Sequence, residues 1–147
     1  MSDADTTPTF LRRLERATNA HDLDALVACF APTYRNEAPA HPSRAFAGTE
    51  QVRANWEQIF RFVPDVRASV LRWAADRSEI WSEWEMRGTR LDSTRHLMRG
   101  VVIFGVRDGQ ATSARFYLEP VDDTSTVGVN DAVARQVHAD FPTSSPR

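Results

Sequence analysis

The sequence predicts an α+β domain in which three N-terminal helices cover one face of a curved, mainly antiparallel β-sheet. Two observations carry this. Apolar residues recur at helical spacing up to Pro64, and after it the pattern changes to strand alternation broken by turn residues. Helices first and strands afterwards, within 147 residues, give one layered domain with segregated helices.

The first helix follows Thr7-Pro8-Thr9, with Thr7 as cap and Pro8 at the first helical position, where the missing N–H costs nothing. Phe10, Leu11, Leu14 and Ala17 form its apolar stripe. Asn19-Ala20-His21-Asp22 interrupts, and Leu23, Leu26, Val27 and Phe30 make a second stripe that Pro32 closes. Tyr34 to Ala38 reads as a short strand, and Pro39-Ala40-His41-Pro42 as loop. A third helix has Thr49 as cap and Val52, Trp56, Ile59, Phe60 and Val63 on one face, and stops before Pro64.

Strand-like runs follow at 66–74, 79–89, 95–106 and 111–119, the last two joined by the hairpin turn Asp108-Gly109. Alternation sorts their faces. Ile80, Ser82, Trp84 and Met86 point to the helices, as do Ala114, Phe116 and Leu118, while Trp81, Glu83, Glu85 and Arg87 point away. In 95–106 both faces are partly apolar: His96, Met98, Val102 and Phe104 inward, Leu97, Val101 and Ile103 outward. Two half-apolar faces imply two burials, so the convex face with Trp81, Leu97, Val101 and Ile103 is expected to pair with a second subunit as a homodimer. Past Pro120, Val133, Val137 and Phe141 suggest a short helix capped by Asn130, ahead of a polar end.

Composition narrows the function. Eighteen basic against twenty acidic residues leave a net charge of -2, which offers no field for nucleic acid or an anionic membrane, and neither is expected as a partner. All the basic residues are Arg, so Schiff-base and P-loop lysine chemistry is excluded. Cys29 is the only cysteine, which rules out an intrachain disulfide and a thiolate cluster. With a polar, acidic start and no long apolar run, the expected compartment is the cytoplasm. The four histidines follow no ligand spacing, so neither a metal site nor a cofactor is expected.

The order helix, helix, short strand, helix and four long strands, with Tyr34-Arg35-Asn36, Phe46-Ala47-Gly48 and Arg107-Asp108-Gly109 at its joints, resembles the SnoaL-like branch of the NTF2-like superfamily over about residues 9–121. Residues 1–8 are then a disordered start, and 122–147 an extension with a possible short helix and a disordered end. The resemblance implies a cone whose open end admits a small, mostly apolar molecule, on a scaffold shared by polyketide cyclases, ketosteroid isomerases, epoxide hydrolases, dehydratases and plain binding domains. Tyr34 and Asn36 match the Tyr-x-Asn pair that helps hold water in limonene epoxide hydrolases. Trp84 and Met86 stand where that enzyme has Arg-x-Asp, and Phe116 where it has the water-activating Asp. Asn36 occupies the place of the ketosteroid isomerase base, and an amide takes no proton at neutral pH. The late-strand carboxylate of SnoaL-type cyclases would correspond to Glu119 only after a one-residue shift, which the polarity of the strand faces opposes.

The candidate site is therefore His96 as proton shuttle, with Tyr34 and Asn36 orienting an oxygen or a water. Trp56, Phe60, Trp84, Met86, Met98, Phe116 and Leu118 are the expected apolar lining, and His41 sits in a loop at the mouth. Glu83 and Glu85 share a face with Arg87, Arg95, Arg99 and Arg115 and read as cross-strand ion pairs, while His21 reads as a surface residue. Two functions stay open: a cofactor-independent cyclase, isomerase or hydrolase, and a non-catalytic binding or dimeric interaction domain.

Overall fold

A computed structural model describes residues 7–122 and 126–138. The elements are α1 (Thr9–Asn19), α2 (Leu23–Val27), β1 (Phe30–Glu37), a 3₁₀ turn (Pro42–Arg44), β2 (Phe46–Ala47), α3 (Thr49–Phe62), β3 (Arg67–Asp76), β4 (Glu79–Thr89), β5 (Arg95–Arg107), β6 (Gln110–Pro120) and α4 (Val129–Val137). The strands form one six-stranded sheet in the order β2-β1-β6-β5-β4-β3. All neighbours run antiparallel except β1 and β6. No described helix is long and apolar enough to cross a membrane.

Helix α1 buries Phe10, Leu11, Leu14, Ala17 and Thr18, the positions the stripe predicts. Phe10 meets Phe104 of β5 edge-on, with ring centroids 5.0 Å apart. The same helix seals an edge of the sheet. β3 has no strand on its outer side, and the polar groups of that edge are taken by side chains: Val70 N–H donates to Glu15, Ala68 exchanges two hydrogen bonds with the Asn19 amide, and His21 Nε2–H donates to the Val66 carbonyl at 2.8 Å. His21 also stacks on Phe60 at 4.7 Å, so it joins α1 to α3 and β3 and is not the surface residue expected.

Four helix boundaries differ from the sequence reading. Helix α1 is capped by Pro8 and begins at Thr9, with no side-chain cap from Thr7. Helix α2 ends at Val27 and the chain is already strand at Phe30, so Pro32 lies inside β1. It is tolerated there because the β1–β6 register breaks between Phe30 and Arg35, where no ladder N–H is required of it. The outcome is two full helices, α1 and α3, and a five-residue α2 whose Leu26 reaches the core. Gly48, not Thr49, caps α3, and Gly128, not Asn130, caps α4. The expected disordered start up to residue 6, Phe141 and the chain end fall outside the described residues.

The four long strands lie as predicted. In β4, Ile80, Ser82, Trp84 and Met86 are buried and their alternates are not. Asp108 and Gly109 take φ of 52° and 78°, the left-handed pair that a two-residue hairpin turn needs, and Arg13 donates to the Gly109 carbonyl. Gly100 bends β5 at φ 153°, opposite Trp84 on one side and Leu118 on the other. On the convex face, Leu97 and Ile103 are only 8% and 7% exposed within a single chain. Arg87 lies opposite Leu97, and Trp81 and Arg115 flank Ile103; the stems of such long side chains cover apolar neighbours. The apolar groups left open on that face include Trp81, at 49% exposure, and Tyr117.

Candidate functional site

Between α3, β1 and the concave side of β4–β6 lies a cleft of about 330 Å³, which leads to a deeper space of about 50 Å³. Phe30, Trp56, Met86, Phe116 and Leu118 line both. The deep end is closed by Leu14, Trp84, Val102 and Phe104 and carries no titratable side chain. The polar groups gather at the other end: Asn36, His41, Arg44, Asn55, His96 and Glu119. A ligand with an apolar body and a polar end matches that division.

Each wall owes its position to local structure. Strand alternation puts Trp84 and Met86 of β4 on the concave face, where Trp84 Nε1 donates to Ser82 Oγ at 2.8 Å and Ser82 Oγ donates to the Val102 carbonyl at 2.7 Å. That chain satisfies three buried polar groups and fixes the indole. Met98 lies directly across from Met86. On α3, Val52, Asn55, Trp56 and Ile59 fall at helical spacing on the cleft side. Phe60 turns past that stripe onto His21 and Trp56 and does not line the cleft, a correction to the expected lining.

Tyr34 and Asn36 share one face of β1, and the Tyr34 hydroxyl donates to Asn36 Oδ1 at 2.7 Å. Burial of the phenol pushes its pKa far above the ordinary tyrosine value, so it stays a neutral donor. With its oxygen engaged, the Asn36 amide has only its NH₂ group left to offer in the cleft wall.

His96 lies opposite Gly88, four residues along β4 from Trp84, so it belongs to the mouth and not to the depth. Its pKa is lowered, first by desolvation and then by the charge of Arg90, so the ring is neutral at neutral pH. Nε2 is buried with no hydrogen-bond partner, and in this arrangement that nitrogen is sealed from a ligand.

His41 meets a partner 78 residues away, with Nε2 and Glu119 Oε1 separated by 2.8 Å. Register pairs Glu119 with Arg99, so β6 has not slipped by a residue. Glu119 reaches the mouth because β1 stops at Glu37, opposite Arg115, and the chain past that point folds over the bare edge of β6. The sequence reading missed this pairing, and it also missed Arg44 and Asn55; only Asn55 carried a signal, lying three residues past Val52 on the cleft face of α3.

The carboxylates of the convex face do other work. Glu85 is held by Arg99 Nε at 2.8 Å and by Arg87, and these hydrogen bonds keep its carboxyl below the usual range, as cross-strand ion pairing predicts. Among the described residues no three His, Cys, Asp or Glu side chains converge as a metal set.

A six-stranded curved sheet with its helices against the concave side defines an α+β domain of the NTF2-like class. The chain belongs to the SnoaL-like domain family, whose model matches residues 11–114. Among solved structures it is similar to a protein of ketosteroid isomerase-like fold from Catenulispora acidiphila, solved with trimethylamine, at 18% identity and TM-score 0.67, covering 76% of this chain and 87% of that one. It is also similar to IdmH, a proposed polyketide cyclase from Streptomyces antibioticus, at 20% identity and TM-score 0.65, covering 75% and 89%. A third is an epoxide hydrolase of M. tuberculosis resembling limonene epoxide hydrolase, at 17% identity and TM-score 0.64, covering 75% and 80%. At such identities the likeness concerns the fold. No curated protein matches by sequence.

Proposed function

We propose that this protein is a cofactor-independent enzyme of the isomerase, cyclase or hydrolase kind that takes a small hydrophobic molecule into the cleft and moves a proton at its mouth. The observation that carries the reading is the hydrogen-bonded His41–Glu119 pair facing a cleft whose depth is apolar. A carboxylate bonded to one ring nitrogen fixes the orientation of an imidazole and stabilises the imidazolium that forms when the ring takes a proton. Asn36, steadied by Tyr34, donates to an oxygen of the substrate. His96 serves as a neutral wall residue beside the reacting end, a reduced role compared with the proton shuttle of the sequence reading.

The test begins with whatever molecule copurifies from the natural host, identified by mass spectrometry and returned to the protein in D₂O or in ¹⁸O-water. Isotope entering the ligand with the native protein, and lost in both His41→Ala and Glu119→Gln, is the expected result. A ligand returned unlabelled and unchanged overturns the reading in favour of a binding domain. That second reading is favoured by one observation, the absence of any titratable side chain around Trp84, Met86 and Phe116 at the deep end.

We also propose a homodimer through the convex face, centred on Trp81 and Tyr117. Sedimentation at rising concentration tests it: a dimer in the native protein and a monomer in Trp81→Arg are expected, and a monomeric native protein refutes it.

A further inference from the structure

We infer that the mouth of the cleft contains an anion-binding subsite built on Arg44 and Asn55, so that the molecule the cleft takes is an apolar body ending in a single carboxylate. The inference rests on the cleft being a ligand site, and it names the class of ligand.

Among the described residues, Arg44 is the one arginine in the cleft wall. Away from the cleft, Arg53 is spent on Asp24, Arg99 on Glu85 and Arg115 on Glu37. The Arg44 guanidinium has no hydrogen bond or ion pair with any described residue. Nor does it ride on a loose tip. Pro42 opens the 3₁₀ turn, Arg44 N–H donates to the His41 carbonyl at 2.9 Å, His41 N–H donates to the Ala38 carbonyl at 2.7 Å, and the His41 ring is tied to Glu119. A cation whose backbone is fixed at the rim, and whose five N–H donors are unclaimed, is already arranged for a planar anion.

Asn55 supplies an independent observation from another element. Its Oδ1 accepts from Gln51 Nε2 at 2.8 Å, and its NH₂ group has no partner among the described residues. Asn55 and Arg44 approach the same space from α3 and from the β1–β2 connection. The inner walls offer an anion nothing, so an anionic ligand has one polarity of entry: body inward towards Trp84, charge outward at the rim.

Charge number follows from the neighbour. Among the described residues Glu119 is the only acid in the wall, already engaged by His41, and it repels a dianion twice as strongly as a monoanion. One arginine against that background fits a carboxylate and disfavours a phosphate monoester. The volume, about 330 Å³, lies at the small end of ligand sites and limits the body to one of modest size.

The experiment compares two probes of one shape, 1-naphthylacetic acid and its primary amide, by titration calorimetry against the native protein, Arg44→Gln and Arg44→Lys. Arg44 is exposed and unpaired, so both variants keep the native melting temperature. The native protein should favour the acid by about ten- to a hundredfold, the value of a charge-assisted pair. Arg44→Gln should erase that preference while leaving amide affinity unchanged, and Arg44→Lys should restore part of it. Raising salt from about 50 mM to about 500 mM should weaken the acid alone. Equal binding of acid and amide by the native protein, or a preference that survives Arg44→Gln, overturns the anion subsite and leaves the cleft a ligand site. Failure of both probes to bind overturns the ligand-site reading and this inference with it.

Discussion

Gly100 is the residue on which the shape of the cleft turns, and its replacement by alanine gives the sharpest test of the architecture. It sits mid-strand in β5 at φ 153°, where a side chain is strained whatever the space around it. There is also no space. A Cβ built there falls on the Tyr117 carbonyl oxygen and lies 2.8 Å from Leu118 Cα, both backbone atoms of β6 that cannot swing aside. Backbone strain of this kind costs about 1–3 kcal/mol, and forcing an extra carbon into a packed region costs about 1–3 kcal/mol more. Gly100→Ala should therefore lose about 2–6 kcal/mol, against a total stability of about 5–15 kcal/mol for an ordinary domain. Gly105, in the same strand, supplies the control: a Cβ there meets the Ser113 hydroxyl, a side chain free to rotate, and its φ is not in the left-handed region. Gly105→Ala should cost less than about 1 kcal/mol by the same packing argument. Urea unfolding followed by tryptophan fluorescence measures both. Because Gly100 lies between Trp84 and Leu118, the shifted strand should also weaken probe binding in the cleft. Near-native stability of Gly100→Ala, or equal losses for the two alanines, refutes the reasoning.

Removing the Ser82 hydroxyl by Ser82→Ala leaves the Trp84 indole N–H unpaired in the core, while the Val102 carbonyl keeps its place in the β4–β5 ladder, and should cost about 1–3 kcal/mol in urea; a change under about 0.5 kcal/mol would show that the relay carries no weight. The lowered pKa of His96 means that the folded state favours the neutral ring, so its contribution to stability is whole above the unfolded value of 6.5 and is lost as pH falls through the folded value. The stability advantage of the native protein over His96→Gln should shrink between about pH 7.5 and about pH 5, and an advantage that grows on acidification contradicts the assignment. In an alkaline absorbance titration Tyr34 should form no phenolate until far above the ordinary tyrosine range, together with unfolding. Early ionisation of both tyrosines would mean that the Tyr34–Asn36 pair is open to solvent.

What could be read from the sequence was whatever a local period encodes. Ile80-Trp81-Ser82-Glu83-Trp84 alternates so regularly that its buried face is fixed before any partner strand is known, and Asp108-Gly109 fits one kind of turn. Helix α2 was overextended because Leu23, Leu26, Val27 and Phe30 satisfy a helical spacing, whereas the β1–β6 pairing that pulls Phe30 into the sheet is formed with residues more than 80 positions away. The same holds at the site. Alternation put Trp84, Met86, Phe116 and Leu118 on the concave face, and the Tyr-x-Asn spacing put Tyr34 and Asn36 together. Nothing near Glu119 in the sequence announces His41. Its side chain belongs by parity to the convex face, and it reaches the cleft because β1 ends four residues short of it, as counted across the β1–β6 register at Arg115, so that the edge of β6 lies open to the loop. Where a strand stops against its neighbour is a property of two distant segments at once. The apolar depth, set by periodicity, was therefore legible, while the polar mouth, set by where the elements end, was not.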